Sequence, residues 1–152
     1  MKLEEVLDKY KDKNIELYVD MDGVIADYIV GEASHYDNKR PLYSSIKKLE
    51  EISNMPNIEM HILSITRMTI GRDEKNIWLD KYASFFKKDN RHIISKEENP
   101  GESSSNLKLK FLDSIDKNDK VIVLIDDDPK ILHAIKDHLD EIILLKDTCL
   151  VD

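Results

Sequence analysis

The stretch IELYVDMDGVIADY, residues 15–28, runs from an apolar segment straight into two carboxylates, Asp20 and Asp22, and then into Gly23. Ile15 to Val19 have the length and composition of a strand, and Asp20 falls at its end. Two carboxylates so close together repel each other. A surface loop carries such a pair only for solubility. A site that holds a cation and attacks a phosphate requires it, and the rest of the chain decides between these readings.

Outward from this stretch, apolar runs of strand length alternate with helical stripes. Leu3, Val6, Leu7 and Tyr10 have helical spacing before the first strand. A stripe of Leu42, Ile46, Leu49 and Ile52 follows Pro41, and IEMHILS (58–64) is a second strand. Residues 73–86 place Ile77, Trp78, Tyr82, Phe85 and Phe86 on one broad helical face. RHIIS (91–95) is a short third strand, and residues 106–115 form a helix with Ser104 or Ser105 as N-cap. KVIVLID (120–126) is the most apolar strand. Asp128 and Pro129 then suit an N-cap and first helical position, and a fifth strand closes at 141–146. This order predicts a doubly wound, Rossmann-like α/β fold: a five-stranded parallel sheet with helices on both faces, in one domain spanning residues 1–152.

In such sheets, ligands bind beyond the carboxyl ends of the strands. The strand ends here carry Asp20 and Asp22, then Ser64 with Thr66 and Arg67, then Asp126, Asp127 and Asp128. Acids converging in this way need a cation, and oxygen-only ligands select a hard one such as Mg²⁺. Asp20 is placed as a nucleophile. Asp22 can act as general acid and then as base. Gly23 allows the sharp turn, and the N–H groups of Met21 and Asp22 can face a phosphate. Ser64 and the N–H of Ile65 can hold a second phosphate oxygen, and Arg67 a substrate group. Asp127, with Asp126, completes the metal shell, and the choice of direct ligand between these two stays open. On the 106–115 helix, a step of roughly 100° per residue points Lys108 into the apolar face, where it can pair with Asp20. Lys110 and Lys96 are the alternatives.

Net charge and composition narrow the function. The chain of 152 residues has a net charge of −8, with 41% hydrophobic and 36% charged residues. That balance argues against a protein that grips long nucleic acid along its backbone, but admits a small phosphorylated substrate or a nucleic-acid end held at one pocket. Cys149 is the only cysteine, and no apolar run has signal-peptide or membrane-span length. A reducing, cytoplasmic setting is expected. The five histidines show no metal spacing.

The motifs YVDMDGV, HILSITR and VIVLIDDDPK resemble, in order and spacing, the first, second and fourth motifs of the haloacid dehalogenase (HAD) superfamily of phosphatases, and Lys108 can supply the third. DMDGVIADY with KNIWLDKY is similar to the 5′(3′)-deoxyribonucleotidases, and LSITR with LIDDDP to the polynucleotide 3′-phosphatases. The resemblance spans about residues 15–146. It implies a Mg²⁺-dependent phosphomonoester hydrolase working through an aspartyl-phosphate at Asp20, with Asp22 meeting the metal through its backbone carbonyl. The implied substrate is a nucleotide or deoxynucleotide monophosphate, with a nucleic-acid 3′-phosphate or a catalytically inactive binding role as alternatives. The stretch from Tyr28 to Pro41 is too short for a cap domain, so an open site is expected, with room for a partner subunit to cover it. A response-regulator receiver, suggested by KVIVLIDDDPK alone, is excluded because only 24 residues follow Asp128.

Overall fold

The computed structural model describes residues 2–28 and 35–151. Five strands, β1 (Asn14–Val19), β2 (Ile58–Thr66), β3 (Arg91–Ser95), β4 (Lys120–Asp126) and β5 (Ile143–Lys146), form one sheet in the order β3-β2-β1-β4-β5. All four pairings are parallel. The helices are α1 (Leu3–Lys9), α2 (Tyr43–Ser53), α3 (Ile70–Tyr82), α4 (Ser104–Ser114) and α5 (Pro129–His138).

Strand alternation divides the core. Ile15, Leu17 and Val19 of β1 and Val123 and Ile125 of β4 pack with Leu3 and Val6 of α1, Leu49 and Ile52 of α2 and Trp78 and Leu79 of α3. Tyr18, Ile122 and Leu124 face the other way, toward Leu112 of α4 and Ile131 and Ile135 of α5. Both faces of the sheet are therefore covered, which is why its strands read as nearly continuous apolar runs. The chain winds from β1 through β2 to β3, then crosses back to β4 and β5. The reversal lies beside β1, and that is where such sheets open a crevice.

Three expectations need correction. Helix α3 stops at Tyr82, so Phe85 and Phe86 lie beyond it, and Ile77 is exposed because Lys75, Trp78 and Leu79 take the inward face. The N-cap of α4 is Ser103, whose Oγ accepts from Asn106 N at 3.1 Å; Ser104 and Ser105 are already helical. Strand β2 continues past Ser64 to Thr66, because β3 pairs with it that far. Asp128 caps α5 as expected, accepting from Lys130 N.

Between β1 and α2, Ala26 and Asp27 pair with Pro41 and Arg40: Ala26 bridges Pro41, Asp27 N donates to Arg40 O at 2.8 Å, and Leu42 N donates to Ile25 O at 2.8 Å. One 3-10 turn, Tyr36–Asn38, lies between these segments. Part of the predicted cap-less loop, residues 29–34, lies outside the described residues. Among the described residues there is no cap domain, and no helix is long and apolar enough to cross a membrane.

Candidate active site

The ends of β1 and β4 meet at the reversal. Asp20 N donates to Ile125 O at 3.0 Å, so the residue after β1 is fixed against the end of β4. The next turn is built on the Met21 carbonyl, which accepts from Val24, Ile25 and Ala26 N, while the Met21 side chain is buried. Gly23 sits at φ +80°, and a Cβ there would lie 2.0 Å from Asp127 Oδ2. Glycine is thus required twice, by conformation and by the approach of Asp127. The Gly23 N–H donates to Ala26 O at 2.8 Å, so it serves the turn and not a phosphate.

Asp20, Asp126 and Asp127 each present a carboxylate oxygen, all within 4.8 Å of one another. They form a cluster that could bind a metal ion. Asp126 is fully buried, with Oδ2 accepting from Lys108 Nζ at 2.6 Å and Oδ1 from Asp128 N at 3.0 Å. Its oxygens are committed within the protein, whereas Asp127 is only partly buried. Burial pushes Asp20 up to about 7, Lys108 opposing it and Asp126 adding to it. Burial also pushes Asp127 up to about 6, with the charge of Asp126 contributing. A cation held among them would relieve the cost of ionising both.

Lys108 lies where the phase of α4 puts it. It is 1% exposed, with Nζ 3.0 Å from Asp20 Oδ1 as well as on Asp126. Burial works against its charge, but the carboxylates of Asp20 and Asp126 outweigh burial and hold its pKa up. Lys110 turns outward to Glu102 at 2.6 Å. Lys96 is tied through its backbone to Thr66 O, and neither Lys110 nor Lys96 lines the cavity.

Ser64 is buried, and its Oγ accepts from Lys75 Nζ at 2.7 Å. Lys75 is 3% exposed and also reaches Ile65 O at 2.8 Å and Asp22 Oδ2 at 3.4 Å. Lys75 falls within the stretch 73–86 that the sequence reads as helical, where only the apolar residues are singled out. The phase argument that found Lys108 would have found Lys75 too, since it precedes Trp78 and Leu79 by three and four residues on one helix face. Asp22 Oδ1 meets Lys39 Nζ at 2.7 Å. Burial would raise the pKa of Asp22, but Lys75 and Lys39 together bring it below the usual carboxylate value. Tyr36 borders this cluster. Its buried hydroxyl makes no hydrogen bond of good geometry, and burial and the charge of Asp22 hold its pKa well up. No periodicity in the sequence marked Lys39 or Tyr36. Arg67 is exposed and does not line the cavity, and Arg72 turns away to Ile93 O at 2.9 Å and to Glu98.

The cavity over these groups has a volume of about 430 Å³ and includes Asp20, Asp22, Tyr28, Ile65, Lys108 and Asp127 in its walls. A larger hollow of about 760 Å³ lies at the opposite edge of the sheet, among Asn14, Asn57 and Asn118. The larger hollow borders Glu16 and Glu59, which with His61 form a second group that could hold a metal ion; the smaller cavity is lined by Lys108 together with the Asp20, Asp126 and Asp127 cluster at the strand ends.

No family model matches the chain, and no curated protein is found similar to it. Solved structures share its fold, among them two with the following matches. A chain in "Structure of the Pnkp1/Rnl/Hen1 RNA repair complex" matches with a TM-score of 0.67 at 15% identity, over 89% of this chain and 42% of that one. A chain in "Structure of Pnkp1/Rnl/Hen1 complex" matches with a TM-score of 0.68 at 14% identity, over 88% of this chain and 46% of that one. The present chain thus spans less than half of each matched chain, and at this level of identity the likeness is one of fold.

Proposed function

We propose that the protein is a Mg²⁺-dependent phosphomonoester hydrolase of HAD type, acting through an aspartyl-phosphate at Asp20 on the terminal phosphate of a nucleic acid or nucleotide. The observation that carries this reading is the convergence of Asp20, Asp22, Ser64, Lys75, Lys108 and Asp127 at the reversal of strand order. Asp20 attacks phosphorus, and the bond to the ester oxygen breaks as Asp22 delivers a proton to it. Asp22, now a carboxylate, takes a proton from water, which attacks the acyl phosphate and restores Asp20. Lys39 and Lys75 favour the carboxylate form of Asp22 that this second step uses. A phosphate dianion entering beside them competes for the same ammonium groups and raises Asp22 toward the acid form needed first. Asp20 and Asp127, with the Asp22 carbonyl, would hold Mg²⁺, which supplies charge neutralisation at the phosphate oxygens. Lys108 keeps Asp20 oriented, and Asp126 holds Lys108.

A terminal phosphate on a nucleic acid is favoured over a free mononucleotide. The cavity has no cap among the described residues, and the two matched structures described above are of Pnkp1/Rnl/Hen1 complexes, one of them described as an RNA repair complex. The net charge of −8 fits a protein that holds the end of a strand and not its length. The test is phosphate release from a panel of mononucleotides and 3′-phosphorylated oligonucleotides with and without Mg²⁺. We expect chelation to abolish release, Asp20→Asn to abolish it, and Asp22→Asn to cost about 10²–10⁴-fold. Activity that persists in Asp20→Asn would overturn the mechanism. A protein that binds these phosphates without ever releasing them would be a binding module.

A further inference from the structure

Tyr28 is a large aromatic side chain left 58% exposed at the wall of the catalytic cavity. It directly follows Ala26 and Asp27, which are held by the bridge to Pro41 and the hydrogen bond to Arg40 O. Beside it, Lys39 Nζ lies 5.6 Å from the Tyr28 ring centroid, 5.0 Å from that of Tyr36, and 2.7 Å from Asp22. The backbone of Lys39 is pinned in turn, since Trp78 Nε1 donates to its carbonyl at 3.0 Å. Lys39 thus spans from the exposed ring to the carboxylate beside the reacting position. Pro129 and Ile131 add apolar surface to the same cavity. An exposed ring beside a cation, with apolar surface in the same cavity, matches a flat, anionic ligand such as a nucleotide.

We propose that Tyr28 is a stacking platform for the nucleobase next to the reacting phosphate, and that Lys39 pairs with the adjoining backbone phosphate, so that the cavity takes a single-stranded end. This rests on the phosphohydrolase reading above and names its substrate class. A base stacks on an aromatic ring only when its own face is free, which a single strand permits and a closed duplex does not. Stacking tolerates any base, so the site would accept ends with little sequence preference. The cations Lys39, Lys75 and Lys108 gather here in an otherwise acidic chain, which confines binding to the terminus.

The experiment compares Tyr28→Ala, Tyr28→Trp and the wild type on a 3′-phosphorylated oligothymidylate and on a base-free ester, glycerol phosphate. In Tyr28→Ala the ratio of the oligonucleotide KM to the glycerol phosphate KM should rise roughly 5- to 150-fold, the range that loss of one stacked base implies, with Tyr28→Trp close to wild type. An unchanged ratio overturns the proposal. A second arm measures fluorescence anisotropy of a labelled 3′-phosphorylated oligothymidylate with Mg²⁺ on Asp20→Asn, with and without Tyr28→Ala. Binding should weaken by a similar factor, and equal affinities overturn the stacking platform. Absence of phosphate release by the wild type from either ester with Mg²⁺ overturns the phosphohydrolase reading instead, and the binding arm still decides the role of Tyr28.

Discussion

Gly23 is the residue where sequence and site meet most tightly. The turn needs φ near +80°, and the space a Cβ would fill is taken by the carboxylate of Asp127. A non-glycine residue in that conformation costs about 1–2 kcal/mol, and here it must also displace a candidate metal ligand. Gly23→Ala is therefore expected to lower unfolding free energy by at least that amount and to weaken Mg²⁺ binding sharply. Urea unfolding and titration calorimetry measure the two effects, and Mg²⁺ affinity equal to wild type would refute the close approach. At this scale, legibility depended on periodicity. Lys108 was found because helix phase placed it among Leu107, Leu112 and Ile115. Lys75 obeys the same rule on α3, but the stripe of Trp78, Tyr82, Phe85 and Phe86 drew the reading of that stretch to its apolar residues alone. Lys39 and Tyr28 belong to irregular chain, where no period marks which side chains turn inward.

Strand and helix order were legible because a buried parallel sheet demands long apolar runs, and all five strands and five helices stand where those runs predict. The ends were less legible, since hydrogen bonding to neighbours sets them. β3 extends β2 to Thr66, and Ser103 starts α4 one residue earlier than composition marks. Cross-strand registers were invisible in the sequence, and one has a consequence. Tyr18 of β1, His61 of β2, His92 of β3 and Phe111 of α4 form a continuous run of ring contacts. His61 Nε2 lies 2.6 Å from Glu59 Oε1, and Nδ1 lies 2.9 Å from His92 Nε2. Nearby, Glu16 bonds the Tyr18 hydroxyl and Lys120. Burial, and next the neighbouring His61, push His92 down to about 4, with Glu16 pulling the other way. Between that value and the usual histidine value, about 6.5, the unfolded chain binds a proton that the folded chain refuses. The contribution is thus present above about 6.5 and lost as pH falls through about 4. Unfolding free energy should drop between pH 7 and pH 4.5 by more in the wild type than in His92→Gln. Parallel pH profiles of the two proteins would show that the ring stack does not titrate as described.

Across the whole molecule, the net charge of −8 was plain from composition, but the concentration of opposite charges at one point was not. Folding brings Asp20, Asp126 and Asp127 together from the ends of two strands, and Lys108 comes from a helix between β3 and β4. Within this cluster, Asp126 and Asp127 are neighbours in sequence with opposite relations to stability. Asp126 is buried, and its partners are Lys108 and the N–H of Asp128. Removing its charge leaves Lys108 buried with Asp20 alone, and breaking a buried pair typically costs about 3–5 kcal/mol. Asp127 is held up to about 6, burial being the larger cause and Asp126 the next. Its ionised form is a load on the metal-free protein near neutral pH. Mg²⁺ held by this cluster, as proposed above, would bind only the folded state, and at a hundred times its dissociation constant would add about 2.7 kcal/mol of stability to the wild type. The two acids should then separate in a thermal melt at pH 7.5 with and without Mg²⁺. Asp127→Asn should melt no lower than the wild type in chelator and lose most of the Mg²⁺-induced rise. Asp126→Asn should melt well below the wild type in chelator. If Asp127→Asn keeps the full Mg²⁺ response, the cation is not held by Asp127, and the ligand set must be sought among Asp20 and the oxygens of Asp126.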